Sequence, residues 1–213
     1  MLGVPCLYIK RLSQCQCGKY GNFIGVLNFL IRDQNSMLKH GFDMYNVFLS
    51  APGDLEKERD ICRGAISEVN ASAAMPSKIL LVTLGVTNDA HVAEYRSVVA
   101  ENIRQSAYFI QVFEDDWGPK NLFRKMFYLA ADCRDDPALP MQELAVFLKA
   151  APRETDAEIL AFRKELEERP DVRVFHFDKL ESLEPQVAAV CSEWVRAIIH
   201  AGGGADAARG AAL

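Results

Sequence analysis

The sequence has no apolar run long enough to cross a bilayer as a helix, which takes about 18 residues or more. Its longest, Phe23 to Ile31, has nine residues and includes Gly25 and Asn28. Positive charge is also short. The 24 lysines and arginines face 29 acids in 213 residues, a net charge of −5. Neither a nucleic-acid partner, which needs a basic footprint, nor a membrane partner is expected. Histidine is scarce, and the 4 present (His40, His91, His176, His200) are scattered. No catalytic or metal-binding histidine set follows, no metal is expected, and His176 is expected to point outward from a strand. The 6 cysteines are too irregular for a secreted disulfide framework. Cys62, Cys133 and Cys191 fall at apolar positions of expected helices, where thiols act as small core residues. The chain therefore reads as intracellular, reduced and cytoplasmic. Several motifs are missing too: G-x-x-x-x-G-K-[ST], G-x-G-x-x-G after the first strand, G-x-S-x-G and H-E-x-x-H. Their absence sets aside phosphate-loop NTPases, standard dinucleotide binders, nucleophile-elbow hydrolases and zincins.

What is present is globular composition, 50% hydrophobic and 25% charged. Residues 1–43 differ from the rest. They hold five basic and two acidic residues, +3, which leaves −8 on the remainder. They show no period and read as a poorly ordered extension, with Met37 and Met44 as alternative starts. Lys10 and Arg11 ahead of the apolar run resemble a signal peptide, but no small-residue cleavage site follows. Cys6, Cys15 and Cys17 with His40 do not match a standard structural zinc spacing.

From Met44 strands and helices alternate. Tyr45–Ser50 (YNVFLS), Lys78–Gly85 (KILLVTLG), Tyr108–Phe113 (YFIQVF), Glu143–Lys149 (ELAVFLK) and Val172–Phe177 (VRVFHF) are short apolar runs of buried-strand type. Helical stripes lie between them: Leu55 to Asn70, His91 to Ser106, Leu122 to Arg134, Thr155 to Arg169, and Leu180 to Ile198. Alternation of this kind predicts an α/β three-layer sandwich, a five-stranded parallel sheet of flavodoxin-like type in the order 2-1-3-4-5. The domain is expected over 44–200, with a disordered low-complexity tail over 201–213.

Ligands of such sheets bind outside the carboxyl ends of the strands. Ser50-Ala51-Pro52-Gly53-Asp54 follows the first strand. With Asp54 as helix N-cap, the turn reads either as a tight loop or as a cradle for an anion or ribose hydroxyls. Gly85 ends the second strand. Asp115 and Asp116 end the third, reading either as a solvated acidic turn or as ligands for a ribose, a metal or a cationic partner. Trp117 either stacks on a base or closes the core edge.

Tyr45–Asn70 (YNVFLSAPGDLEKERDICRGAISEVN) resembles the opening of a bacterial family of TIR-like domains of uncharacterised function, with its V-F-[LI]-S-[SA]-x-x-D-[LV]-x-x-E-R signature. Glu101–Trp117, Glu143–Pro152 and Ile159–Leu166 resemble later pieces of the same family, so the likeness covers about residues 44–198. It implies a TIR-like fold and a signalling or protein-interaction module of a bacterial conflict or immune type, acting through a protein partner or self-association. Some TIR domains hydrolyse or cyclise NAD with a glutamate near the start of the helix after strand three. A carboxylate there can stabilise the oxocarbenium character of nicotinamide–ribose cleavage. The matching segment here is Lys120-Asn121-Leu122-Phe123-Arg124-Lys125, which has no glutamate. The expectation is a catalytically degenerate module. The alternatives are an NAD glycohydrolase using Asp115 or Asp116, and a nucleotide second-messenger sensor. The ligand-binding set is Ser50, Pro52, Gly53, Asp54, Gly85, Trp117 and Arg124. NAD or another nucleotide is the ligand class implied, with no cofactor fixed.

Overall fold

The computed structural model describes residues 41–85, 96–118 and 121–210, with backbone alone at 96 and 202–210. Residues 1–40 of the expected extension (with Cys6, Cys15, Cys17 and His40), the start of the expected helix from His91, and residues 211–213 lie outside the described residues.

Strands β1 (Asp43–Ser50), β2 (Ile79–Gly85), β3 (Tyr108–Phe113), β4 (Glu143–Lys149) and β5 (Val172–Phe177) form one sheet in the order β2-β1-β3-β4-β5. Every pairing is parallel. A parallel sheet is covered on both faces, which explains the unbroken apolar runs: all six residues of β3 are buried.

The helices are α1 (Glu56–Val69), α2 (Arg96–Arg104), α3 (Leu122–Asp135), α4 (Ala157–Glu168) and α5 (Leu180–Gly210). Successive strand residues point to opposite faces, so the core divides in two. Val47, Leu49, Tyr108 and Ile110 pack with Cys62 and Ile66 of α1 and with Leu183, Val187 and Trp194 of α5. Phe48, Phe109 and Phe113 pack on the other face with Ile103 of α2, Met126 and Phe127 of α3, and Phe162 of α4. Tyr108 stacks on Trp194 with ring centroids 4.2 Å apart. Each such fully buried large side chain contributes about 1.5–3 kcal/mol.

Two element ends differ from expectation. Asp54 does not cap α1. The Leu55 N–H donates to the Pro52 carbonyl at 3.0 Å, closing a 3-10 turn over Gly53–Leu55, so α1 starts at Glu56 with no side-chain cap. Proline's fixed φ favours that tighter turn. The last helix keeps a helical backbone to Gly210, beyond residue 200, where the domain was expected to end. At α4, Asp156 accepts from the Glu158 and Ile159 N–H groups at 2.7 and 3.3 Å, an ordinary N-cap.

Edge strand β2 is guarded from α1's end. The Asn70 side chain donates to the Leu81 carbonyl at 2.8 Å and accepts from the Leu81 N–H at 2.9 Å. It occupies both outward backbone groups of Leu81, the place where another strand would pair. Asn70→Ala is therefore expected to cost about 2 kcal/mol, since two partly buried backbone groups lose their partner. Urea unfolding checks this, and Asn70→Asp, which keeps only the acceptor, should fall between the two.

Candidate functional site

The order 2-1-3-4-5 reverses direction between β1 and β3, so their carboxyl ends form a crevice mouth. Ser50 closes β1 and is buried, 2% exposed. Among the described residues its hydroxyl reaches Met126 Sδ, at 3.9 Å. Pro52 is buried, whereas Gly53 and Asp54 are exposed at the rim. Gly85 ends β2 where a Cβ would stand 2.6 Å from the Leu49 carbonyl oxygen; the close approach of two backbones, not a ligand, explains this glycine.

Carboxylate oxygens of Asp54, Glu114 and Asp115 lie within 4.8 Å of one another. Partial burial holds Asp54 above its ordinary pKa, and the charges of Asp116, Asp115 and Glu114 push the same way. Asp115 is raised by the same two causes, burial first and then Glu114, Glu154 and Asp116, against a smaller pull from Lys149. Asp116 has another task. Its Oδ1 accepts from the Gly118 N–H at 2.9 Å, fixing the turn that carries the chain toward α3. Of the two acids singled out in the sequence, Asp115 joins the cluster and Asp116 builds the loop. Three hard oxygens at this spacing have the chemistry to hold a divalent cation or to accept from paired hydroxyls.

The other half of the Asp-x-x-x-Glu-Arg signature lies beneath. Glu58 is 5% exposed and Arg59 is 4% exposed. Lys149, the last residue of β4, sends its ammonium to Glu58 at 3.0 Å and to Glu114 at 2.8 Å. Those two carboxylates keep its proton on, against the opposing effect of burial. Arg163 of α4 donates to the carbonyls of Glu114 and Lys149 at 2.7 and 2.9 Å. Arg59 has no hydrogen-bond partner for Nε or Nη1 among the described residues. An open groove of about 680 Å³ adjoins the cluster. Gly53, Asp54, Glu58, Lys149, Lys179 and Glu181 are among its walls.

Trp117 closes the core. It is 8% exposed, with ring centroids 4.5 Å from both Phe113 and Phe162, and the Arg124 guanidinium lies 5.4 Å from its centroid. No face of the indole stays open for a base. Arg124 also lies 5.9 Å from the Tyr128 ring and 3.5 Å from Glu158, so it joins α3 to α4 and does not reach into the crevice. His176 is exposed beside Glu167 at 3.4 Å, and it is not among the carboxylates of the acidic cluster. Glu58, Glu114, Lys149 and Arg163 escaped sequence reasoning as site residues. The one available signal was the Glu-Arg of the signature, a charged pair on an otherwise core-facing stripe.

No family model and no curated protein matches this chain. Solved structures similar to it include the metal-soaked Flv1 flavodiiron core from Synechocystis sp. PCC6803, with TM-score 0.42 and 14% identity over 82% of this chain and 41% of that one. A fragment described as a lipoprotein from Peptoclostridium difficile 630 has TM-score 0.37 and 10% identity over 70% of this chain and 97% of its own. The chain thus spans less than half of the flavodiiron core, and at these scores neither likeness bears on function.

Two outcomes follow from the rim's electrostatics. Lys149→Met strands the buried Glu58 carboxylate and should lower stability by about 3 kcal/mol; adding Glu58→Gln should restore most of it, read by urea unfolding. Asp115 is held protonated to higher pH in the fold than in the unfolded chain. That contribution favours folding at low pH and is lost as pH rises through the folded pKa. Asp115→Asn should therefore stabilise the protein at neutral pH, on the order of 0.5 kcal/mol for so exposed a group. The gain should vanish in acid, below the ordinary aspartate range, and Tm measured against pH reads it.

Proposed function

We propose that this chain is a TIR-like signalling module that recognises a nucleotide at the carboxyl rim of its sheet and does not cleave it. The observation that supports this best is the composition of the rim. Asp54 and Asp115 offer paired acceptors suited to ribose hydroxyls. The adjoining groove brings Lys57 and Lys179 within reach of phosphates. The first turn of α3 carries Arg124, bound to Trp117 and Glu158, where NAD-cleaving TIR domains carry glutamate. Turned to its contacts on Trp117 and Glu158, that side chain supplies no carboxylate to stabilise the developing positive charge of N-glycosidic cleavage. Binding would be relayed to a protein partner or to a second copy of the chain, in a cytoplasmic bacterial conflict or immune setting.

A second reading, an NAD glycohydrolase, is favoured by one observation: Asp115 sits among like charges with a raised pKa, as carboxylates in acid–base roles do. One assay separates the two. Purified protein is incubated with NAD across a wide protein concentration range, and binding of NAD and ADP-ribose is measured by calorimetry. The expected result is binding without nicotinamide release, weakened at least tenfold by Asp54→Asn/Asp115→Asn. Nicotinamide release that Asp115→Asn abolishes would establish the glycohydrolase instead. Absence of both binding and release would overturn both readings.

A further inference from the structure

One polar pair in the core is unexplained by the rim. Gln111 lies in the middle strand of the sheet, 0% exposed. Neither its Oε1 nor its Nε2 has a hydrogen-bond partner among the described residues. In register it stands directly beside Ser50 of β1. Neighbours in a parallel pair share a face, so the amide and the hydroxyl stand side by side on the α3 face. Phe48, Phe109 and Phe113 share that face, Val146 is the register partner of Gln111 and Met126 meets Ser50; none of them accepts a strong hydrogen bond. Ser50's own contact is the weak thioether acceptor of Met126.

Leaving an amide dry and unpaired costs roughly 1–3 kcal/mol. A leucine at this position would fill similar space without that cost. The pair is also sited where a ligand would use it: Ser50 is the last residue of β1, at the switch point between β1 and β3. Gln111 supplies two donors and an acceptor, and Ser50 a donor and acceptor beside it. Their complement is a flat group with a hydrogen-bond donor next to an acceptor. Glutamine grips the adenine edge in that bidentate manner, and a carboxamide presents the same pattern. The cover over Ser50 is Met126, an unbranched side chain that repacks easily.

We infer that Gln111 and Ser50 are the base-reading residues of this site, taking the donor–acceptor edge of a nucleobase or carboxamide under Met126. The inference rests on the nucleotide reading above and adds where the planar end of the ligand goes. The ribose would lie at Asp54 and Asp115, one step outward along the same rim.

Calorimetry with AMP, nicotinamide and ribose 5-phosphate tests it on wild type, Gln111→Leu and Ser50→Ala. AMP carries the nucleobase, nicotinamide the carboxamide, and ribose 5-phosphate neither. Gln111→Leu should fold with an equal or higher Tm yet bind the preferred planar probe at least tenfold more weakly, while ribose 5-phosphate binding is unchanged. Ser50→Ala should weaken the same probe, and it carries the test if the leucine variant fails to fold. In wild type, the Gln111 side-chain amide resonances should shift with that probe and not with ribose 5-phosphate. Equal affinity of the planar probes for wild type and both variants would overturn the inference and leave the rim reading standing. So would AMP binding no tighter than ribose 5-phosphate together with no nicotinamide binding. No binding of any probe to wild type would overturn both.

Discussion

Two-sided burial governs this molecule. A parallel sheet must hide both faces, so the interiors of the central strands are spent on apolar packing, with Gln111 of β3 an exception. In β4, Leu144 to Leu148 are all at 0% exposure. Charge can enter only where a strand stops. Lys149 is the first such place on β4, Glu114 follows β3, and Asp54 follows β1. The parallel direction sets these ends side by side, and their chemistry converges without any local motif to announce it.

The rim that results is under tension. Three carboxylates crowd one another while one ammonium serves Glu58 beneath and Glu114 beside it. The Glu58–Lys149 pair is costly to desolvate and costlier to break, which makes it a structural pin. Asp54 and Asp115 have no such counter-charge in direct contact among the described residues, and they carry the repulsion.

The five strands and their order were legible in the sequence for the same reason that they are stable. Apolar runs of six to eight residues between helical stripes have few other solutions. The helix after β4 was legible because its apolar stripe, Ile159, Phe162 and Leu166, recurs at helical spacing. Asp54 was misread as a cap because local pattern cannot show that Pro52 closes a 3-10 turn first. Trp117 was left between base-stacking and core closure. Only tertiary contacts with Phe113, Phe162 and Arg124 decide it. The division of labour between Asp115 and Asp116 hangs on a single hydrogen bond to Gly118. Lys149, Glu114 and Arg163 are separated by many residues and meet only through β3–β4 pairing and the docking of α4. Gln111 was not singled out because YFIQVF reads as one apolar run, and a single polar letter within it does not show which groups surround it.

The guanidinium of Arg163 holds α4 by grasping the main-chain carbonyls of Glu114 and Lys149 and not their side chains. The grip is blind to residue identity at 114 and 149. At 114 a substitution can change the charge of the rim while the helix stays moored, whereas at 149 it also releases the buried Glu58. The architecture thus separates change in the side chain at position 114 from change in how the sheet is covered, because the mooring is made to the main chain alone.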